Sequence, residues 1–125
     1  MSSASPQTEN KTARQFISFI EEFRKLNSEM QVGQISLFLH IVATPNLTIK
    51  ELTQRTGLGE GGTITRNLDA LSETRRVLKK GKVELVPGHG LITLVEDPMD
   101  RRFKRVKPTR RGLQVYNALV QLLGV

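Results

Sequence analysis

TIKELTQRTGLGEGGTITRNLDALSE, residues 48–73, is the stretch whose reading sets the fold. Thr48 and Glu51 stand at the N-cap and third positions of a capping box, in which each side chain serves the other's backbone amide. The short helix they open turns Ile49 and Leu52 inward, runs through about Thr56 and meets a left-handed stop at Gly57. A three- or four-residue turn and Glu60 lead to a second helix, residues 61–73. Its Ile64, Leu68 and Leu71 fall at i, i+4 and i+7, which points Thr63, Thr65, Arg66, Asn67, Asp69 and Ala70 outward. Two helices joined by a glycine-containing turn make a helix-turn-helix.

Helices are expected on both sides of this unit. Phe16, Ile17, Phe19, Ile20, Phe23 and Leu26 follow helical spacing with charged residues between them, so the first helix is strongly amphipathic. It carries three of the chain's five phenylalanines, which leaves part of its stripe available to a second subunit or to the core. Val32 to Ala43 is apolar nearly all round, as suits a central helix, and Pro45 with Asn46 stops it. Thr109 can cap a final helix with Leu113, Tyr116, Leu119, Val120 and Leu123 along one broad side.

Between Leu71 and Thr109 the pattern turns to β. Strands are expected near Val83 to Val86, Leu91 to Glu96 and Phe103 to Lys107. PGHG separates the first pair, and DPMD turns between the second pair, making a hairpin with Asp97 to Arg102 at its tip. The fold class that results is α+β, mainly α: a winged helix-turn-helix with flanking N- and C-terminal helices and a β-hairpin wing.

With 125 residues the chain is expected to be one domain, residues 13–125, preceded by a polar, disordered leader over residues 1–12. The leader lacks the basic and apolar regions of a secretory signal, and the apolar runs are too short to span a bilayer. No cysteine is present, which removes thiol catalysis, cysteine-rich zinc sites and thiol redox sensing, and permits a reducing cytoplasm. His40 lies in an apolar helix and His89 in the PGHG turn, neither near a partner for metal binding or acid–base work. No catalytic, cofactor or metal set converges, so the chain does not read as an enzyme.

Lys and Arg number 19 against 12 Asp and Glu, a formal charge of +7, which favours a polyanionic partner. The arrangement favours nucleic acid further. Arg66 and Asn67 are the side-chain types that read guanine and adenine edges, and Thr63 and Thr65 suit phosphates or a thymine methyl. At the hairpin, Arg101, Arg102, Lys104, Arg105 and Lys107 form a slender basic element matched to a narrow minor groove. Arg75, Arg76, Lys79, Lys80 and Lys82 form a second basic cluster, read as a solvated face.

Residues 48–73 followed by GLITLVEDPMDRRFKRVKPTRRG, residues 90–112, resemble the winged helix-turn-helix of the MarR family of bacterial transcription regulators. The likeness covers roughly residues 32–123. Asp100, Arg102 and Arg105 match the family's D-x-R-x-x-R wing pattern, and Thr109 with Gly112 matches the trailing T-x-x-G. The resemblance implies that Arg102 or Arg101 enters the minor groove, that Asp100 braces the wing by pairing with Arg, and that Thr63 to Asn67 face the major groove. It also implies a sequence-specific, double-stranded-DNA-binding repressor, dimeric through its N- and C-terminal helices, in the cytoplasm of a bacterium or encoded by its phage or plasmid. An interaction adaptor in a replication or transcription complex, using the first helix or the insertion, is the alternative. The departures are Gly61 and Gly62 in the first turn of the recognition helix, Pro108 before the threonine, a short last helix, and an insertion near residues 74–90 where the family has a very short connection.

Overall fold

A computed structural model of the chain describes residues 10–58 and 62–124. The elements run α1 (Lys11–Arg24), α2 (Val32–Ala43), β1 (Leu47–Thr48), α3 (Ile49–Thr56), α4 (Gly62–Leu71), β2 (Thr74–Lys79), β3 (Lys82–Pro87), β4 (Ile92–Asp97), β5 (Asp100–Pro108) and α5 (Arg110–Leu123). This is the expected winged helix-turn-helix with flanking helices. Asn10 caps α1 by accepting from the Ala13 amide, so Lys11 and Thr12, assigned to the leader, are helical; residues 1–9 lie outside the described residues.

The helix-turn-helix forms as its local chemistry dictates. The Thr48 amide donates to Glu51 Oε1 at 3.0 Å and the Glu51 amide to Thr48 Oγ1 at 3.2 Å, closing the capping box. Gly57 ends α3 at φ 60°, left-handed backbone that a side chain would strain. Glu60 and Gly61 lie outside the described residues. The second helix ends at Leu71, two residues short of the expected 73, because the chain bends at Ser72 and leaves as a strand.

The core gathers where α2 meets the other elements. Leu37, Phe38 and Ile41 of α2 are buried with Phe23 of α1, Leu52 of α3, Ile64, Leu68 and Leu71 of α4, Val106 of β5 and Leu119 of α5. Phe23 stands edge-on to Phe38, ring centroids 6.0 Å apart, so one aromatic pair joins the first helix to the central one. The α5 stripe divides otherwise than expected. Gly112 and Leu119 face the core, whereas Leu113, Tyr116 and Leu123 stay exposed.

The strands form two separate sheets. One is the three-stranded β1-β5-β4, antiparallel, with Leu47 opposite Val106 and Leu94 opposite Val106 on the other side. The other is a two-stranded hairpin, β2–β3, that forms the insertion. Its turn is Lys80–Gly81, both at positive φ (51° and 76°), the conformation that a two-residue hairpin turn demands. The expected strand at Val83 to Val86 is therefore paired with β2, a strand absent from the sequence expectation, and not with β4 across PGHG. Instead of turning a hairpin, PGHG closes the insertion. The amides of Gly88, His89, Gly90 and Leu91 donate to the carbonyls of Glu73, Ala70, Ser72 and Leu71. They satisfy the open carbonyls at the end of α4, so the chain returns to the point it left and the hairpin is clasped at its base. A Cβ on Gly88 would sit 2.1 Å from the Ser72 carbonyl oxygen, which is why glycine stands there.

Candidate nucleic-acid interface

On α4, Thr63, Thr65 and Arg66 are exposed along one side, the arrangement expected of a groove-facing surface. The Arg66 side chain folds back over the first turn, its Nη2 donating to Thr63 Oγ1 at 3.4 Å. Gly62 makes room for it: a Cβ there would lie 2.8 Å from Arg66 Nη1. Asn67 departs from the expectation. It is buried, 9% exposed, with its Nδ2 toward Gly33 at the start of α2. The reason is elementary, since residue 67 follows Ile64 by three and precedes Leu71 by four, and so shares their inner face.

The wing is longer and tighter than expected. Strands β4 and β5 are joined by Pro98 and Met99 alone, so Arg101 and Arg102 belong to β5 and not to a loop at the tip. The ladder is irregular here: Asp97 pairs with Asp100 but Glu96 pairs with Lys104, so Arg101, Arg102 and Phe103 bulge out of the pairing. Arg101, Arg102 and Lys104 are exposed. Neither Arg101 nor Lys104 has a hydrogen-bonding or ionic partner among the described residues, so both are available to an external anion.

Two carboxylate–guanidinium pairs hold this element. Asp100 receives Arg102 Nε at 3.0 Å and Nη2 at 2.8 Å, together with the Arg102 amide at 3.1 Å. The fork leaves the Arg102 side chain 84% exposed, so the pair orients the guanidinium without hiding it. The guanidinium also stands 5.9 Å from the Phe103 ring centroid. Those bonds from Arg102 hold the Asp100 carboxyl below its usual range.

Arg105 acts otherwise than expected of a DNA contact. Its Nε donates to Asp97 Oδ2 at 2.9 Å and its Nη1 to the Asn46 carbonyl at 2.8 Å, tying the wing to the segment before β1. Asp97 Oδ1 meanwhile accepts the Met99 amide at 2.9 Å and shapes the tip. That amide bond first, and Arg105 second, lower the Asp97 carboxyl below its usual range. Arg105, held in place by Asp97, is thus the brace between wing and body, while Asp100 braces within the wing. Sequence reasoning misses this partnership, because a register shift between Glu96 and Asp97 sets Arg105 opposite Val95 and so on the face of Asp97, where a regular two-residue turn would not have put it. It also misses Met99, 92% exposed at the tip.

Thr109 and Gly112 explain the junction behind the wing. Thr109 Oγ1 donates to the Gly90 carbonyl at 2.6 Å and accepts from the Gly112 amide at 3.0 Å, capping α5 and fastening it to β4's entry. A Cβ on Gly112 would meet the Leu91 carbonyl oxygen at 2.1 Å. The close approach of α5 to the sheet therefore requires glycine.

Among the described residues no group of three or more His, Asp or Glu could hold a metal ion, and no helix is long and apolar enough to cross a membrane. No family model and no curated protein matches the sequence. Solved structures do match. MarR is 26% identical, with 90% of this chain covering 69% of that one at a TM-score of 0.60. S. aureus MepR in complex with DNA has a TM-score of 0.63 at 16% identity, covering 91% of this chain and 77% of that one. The transcriptional repressor CouR, bound to a 23-mer DNA duplex, has a TM-score of 0.59 at 21% identity, covering 91% and 68%. Helix order, the braced wing, the Thr109–Gly112 junction and the likeness to MarR give this chain the winged helix-turn-helix fold that these structures share.

Proposed function

We propose that the chain is a sequence-specific regulator of transcription that binds double-stranded DNA and represses by occluding a promoter. In this reading α4 enters the major groove with Thr63, Thr65 and Arg66, and the β4–β5 wing meets the minor groove or backbone with Arg101, Arg102 and Lys104. The observation that carries it is the pairing of an exposed, polar helix face with a wing whose Arg102 is oriented by Asp100 yet open to solvent, beside the exposed Arg101 and Lys104. Support also comes from MepR and CouR, whose shared fold is seen on DNA.

The functional unit is a homodimer on an inverted repeat, with half-sites about one helical turn apart or a multiple of it. Phe16, Ile17 and Ile20 of α1 and Leu113, Tyr116 and Leu123 of α5 are exposed, and Gln15 Nε2 reaches the Leu122 carbonyl at 3.4 Å, bringing the two faces together. A group of exposed apolar side chains on two adjoining helices is the kind of surface that a second subunit covers. A cytoplasmic location in a bacterium, or in one carrying the phage or plasmid that encodes it, goes with this function.

The test is quantitative binding to duplex as salt is varied. Arg101→Ala is expected to weaken binding to all sequences alike and to reduce the salt slope by about one. Arg66→Ala is expected to lose roughly ten- to hundredfold at the preferred site and little elsewhere. If neither variant changed affinity, the assigned surface would be the wrong one.

A further inference from the structure

The β2–β3 hairpin and the wing enclose a cleft of about 670 Å³ that no part of the DNA-binding reading uses. Its two sides present different things. Ile92, Thr93 and Leu94 of β4 all line it, and because successive strand residues alternate between faces, three in a row mean that the cleft runs along the strand's edge. That edge is open: β4 is the outermost strand of β1-β5-β4 and the hairpin forms a sheet of its own. From the hairpin, Thr74, Arg76 and Leu85 face the cleft, and these share one side of the ribbon by their register, Thr74 opposite Pro87 and Arg76 opposite Leu85. The same side continues to the tip through Leu78 and its partner Val83, which with Leu85 are 74%, 67% and 69% exposed.

An unpaired strand edge facing an apolar ribbon is the geometry of strand addition, in which an extended peptide takes up the open backbone groups and sets alternate side chains into pockets. The charges select the peptide. Arg110 and Arg111, in the first turn of α5, close the cleft and have no acidic partner among the described residues. Asp69 is taken by Arg76, bonded at 2.9 and 3.1 Å, which leaves Glu73 as the one uncommitted acid of the lining. Lys79, Lys80 and Lys82 extend the positive field to the hairpin tip. Nucleic acid suits this surface less well, since three exposed aliphatic side chains in a row serve a protein partner's core and not a phosphate backbone.

We propose that the cleft between β4 and the β2–β3 hairpin is a docking site for an extended segment of another protein in which acidic and aliphatic residues alternate. The segment adds to the β4 edge, lays its aliphatic side chains on Leu85 and Leu94, and meets Arg110 and Arg111 with its carboxylates. This site touches α4 only through Asp69, stands apart from Thr63, Thr65, Arg66 and the wing cations, and does not depend on the DNA reading.

The experiment uses the full chain and a panel of short labelled peptides in which Asp or Glu alternates with Leu or Val, followed by fluorescence anisotropy. Peptides of the same composition with acids and aliphatics in separate blocks are the control. Saturable binding of the alternating peptides is expected, with the block peptides weaker by about tenfold. Arg110→Glu with Arg111→Glu is expected to abolish it, a change the fold accepts because acidic groups suit a helix N-terminus. Leu85→Ser, at an exposed position, is expected to weaken it about tenfold. Hydrogen exchange should slow at Ile92 to Leu94 when peptide is bound. Each of these results would overturn the proposal: no saturable binding across the panel, equal affinity for block peptides, unchanged exchange along β4, or loss of duplex affinity as the main effect of the double Arg change, which would make the cleft a nucleic-acid surface. A fall in oligomer size caused by Leu85→Ser would overturn it in favour of a second copy.

Discussion

Arg105 and Arg102 sit three residues apart in one strand and do opposite things with the same functional group. Arg105 commits its guanidinium to Asp97 and to the Asn46 carbonyl, while Arg102 is held by its neighbour Asp100 and stays in solvent. Arg105→Ala is therefore expected to free the wing from the body. Hydrogen exchange should rise in residues 95–104 while α2 and α4 stay protected; unchanged exchange in the wing would contradict the anchoring role. Gly112 gives a second residue-level expectation. Gly112→Ala pushes a methyl into the Leu91 carbonyl and toward the Phe38 ring, and should cost roughly 1–3 kcal/mol in urea unfolding, as overpacking usually does. Gly57→Ala, with nothing within 4 Å, strains only its left-handed backbone and should cost less. His89 adds a pH dependence. Burial first, and the charges of Arg75 and Arg111 after it, hold its imidazole below the ordinary 6.5. The unfolded chain thus takes up the proton before the folded one, so stability should fall as pH drops through about 6.5 and level off below the folded value. His89→Gln should flatten that stretch of the profile; an unaltered slope would assign it to other groups.

The inserted hairpin is the element whose removal is most informative. Its ends meet at Glu73 and Gly88, where the Gly88 amide donates to the Glu73 carbonyl at 2.9 Å, and its strands pair only with each other. Replacing residues 74–87 with a short Gly-Ser bridge should leave a cooperative unfolding transition, with the melting temperature moved by no more than about 5 °C, equivalent to ~1 kcal/mol. A non-cooperative melt would mean that the hairpin supports the core. The same elements show how far sequence alone reaches. Capping at Thr48 and Thr109, the stop at Gly57 and the β4–β5 wing are local matters of a few residues and are legible. The pairing of TRRVLK is not, because its cations and aliphatics hide the period of two and PGHG draws the turn assignment away from Lys80–Gly81. Asn67 misleads for the opposite reason: its amide suggests chemistry, whereas the helical period sets it inward. Asp97 with Arg105 needs the register of two strands, and the shift between Glu96 and Asp97 moves that register off the one the two-residue turn alone would set.

Across the whole molecule, one group of exposed aliphatic and aromatic side chains gathers on α1 and α5, another lies on the β2–β3 hairpin and the wing, and the exposed cations of the proposed duplex surface are Arg66 on α4 and Arg101, Arg102 and Lys104 on the wing. In the proposed dimer the α1–α5 group faces the partner subunit. Ile17→Glu with Tyr116→Glu, both at exposed positions, should shift sedimentation from dimer to monomer without altering the helical circular dichroism; a dimer that persisted would place the interface elsewhere. The proposed function stands on sequence-specific duplex recognition, and selection from a pool of random duplexes at roughly physiological salt, which suppresses purely electrostatic binding, tests it in one step. Enrichment of an inverted repeat with half-sites about one helical turn apart is the predicted result. A folded, dimeric protein that enriched no sequence would contradict it.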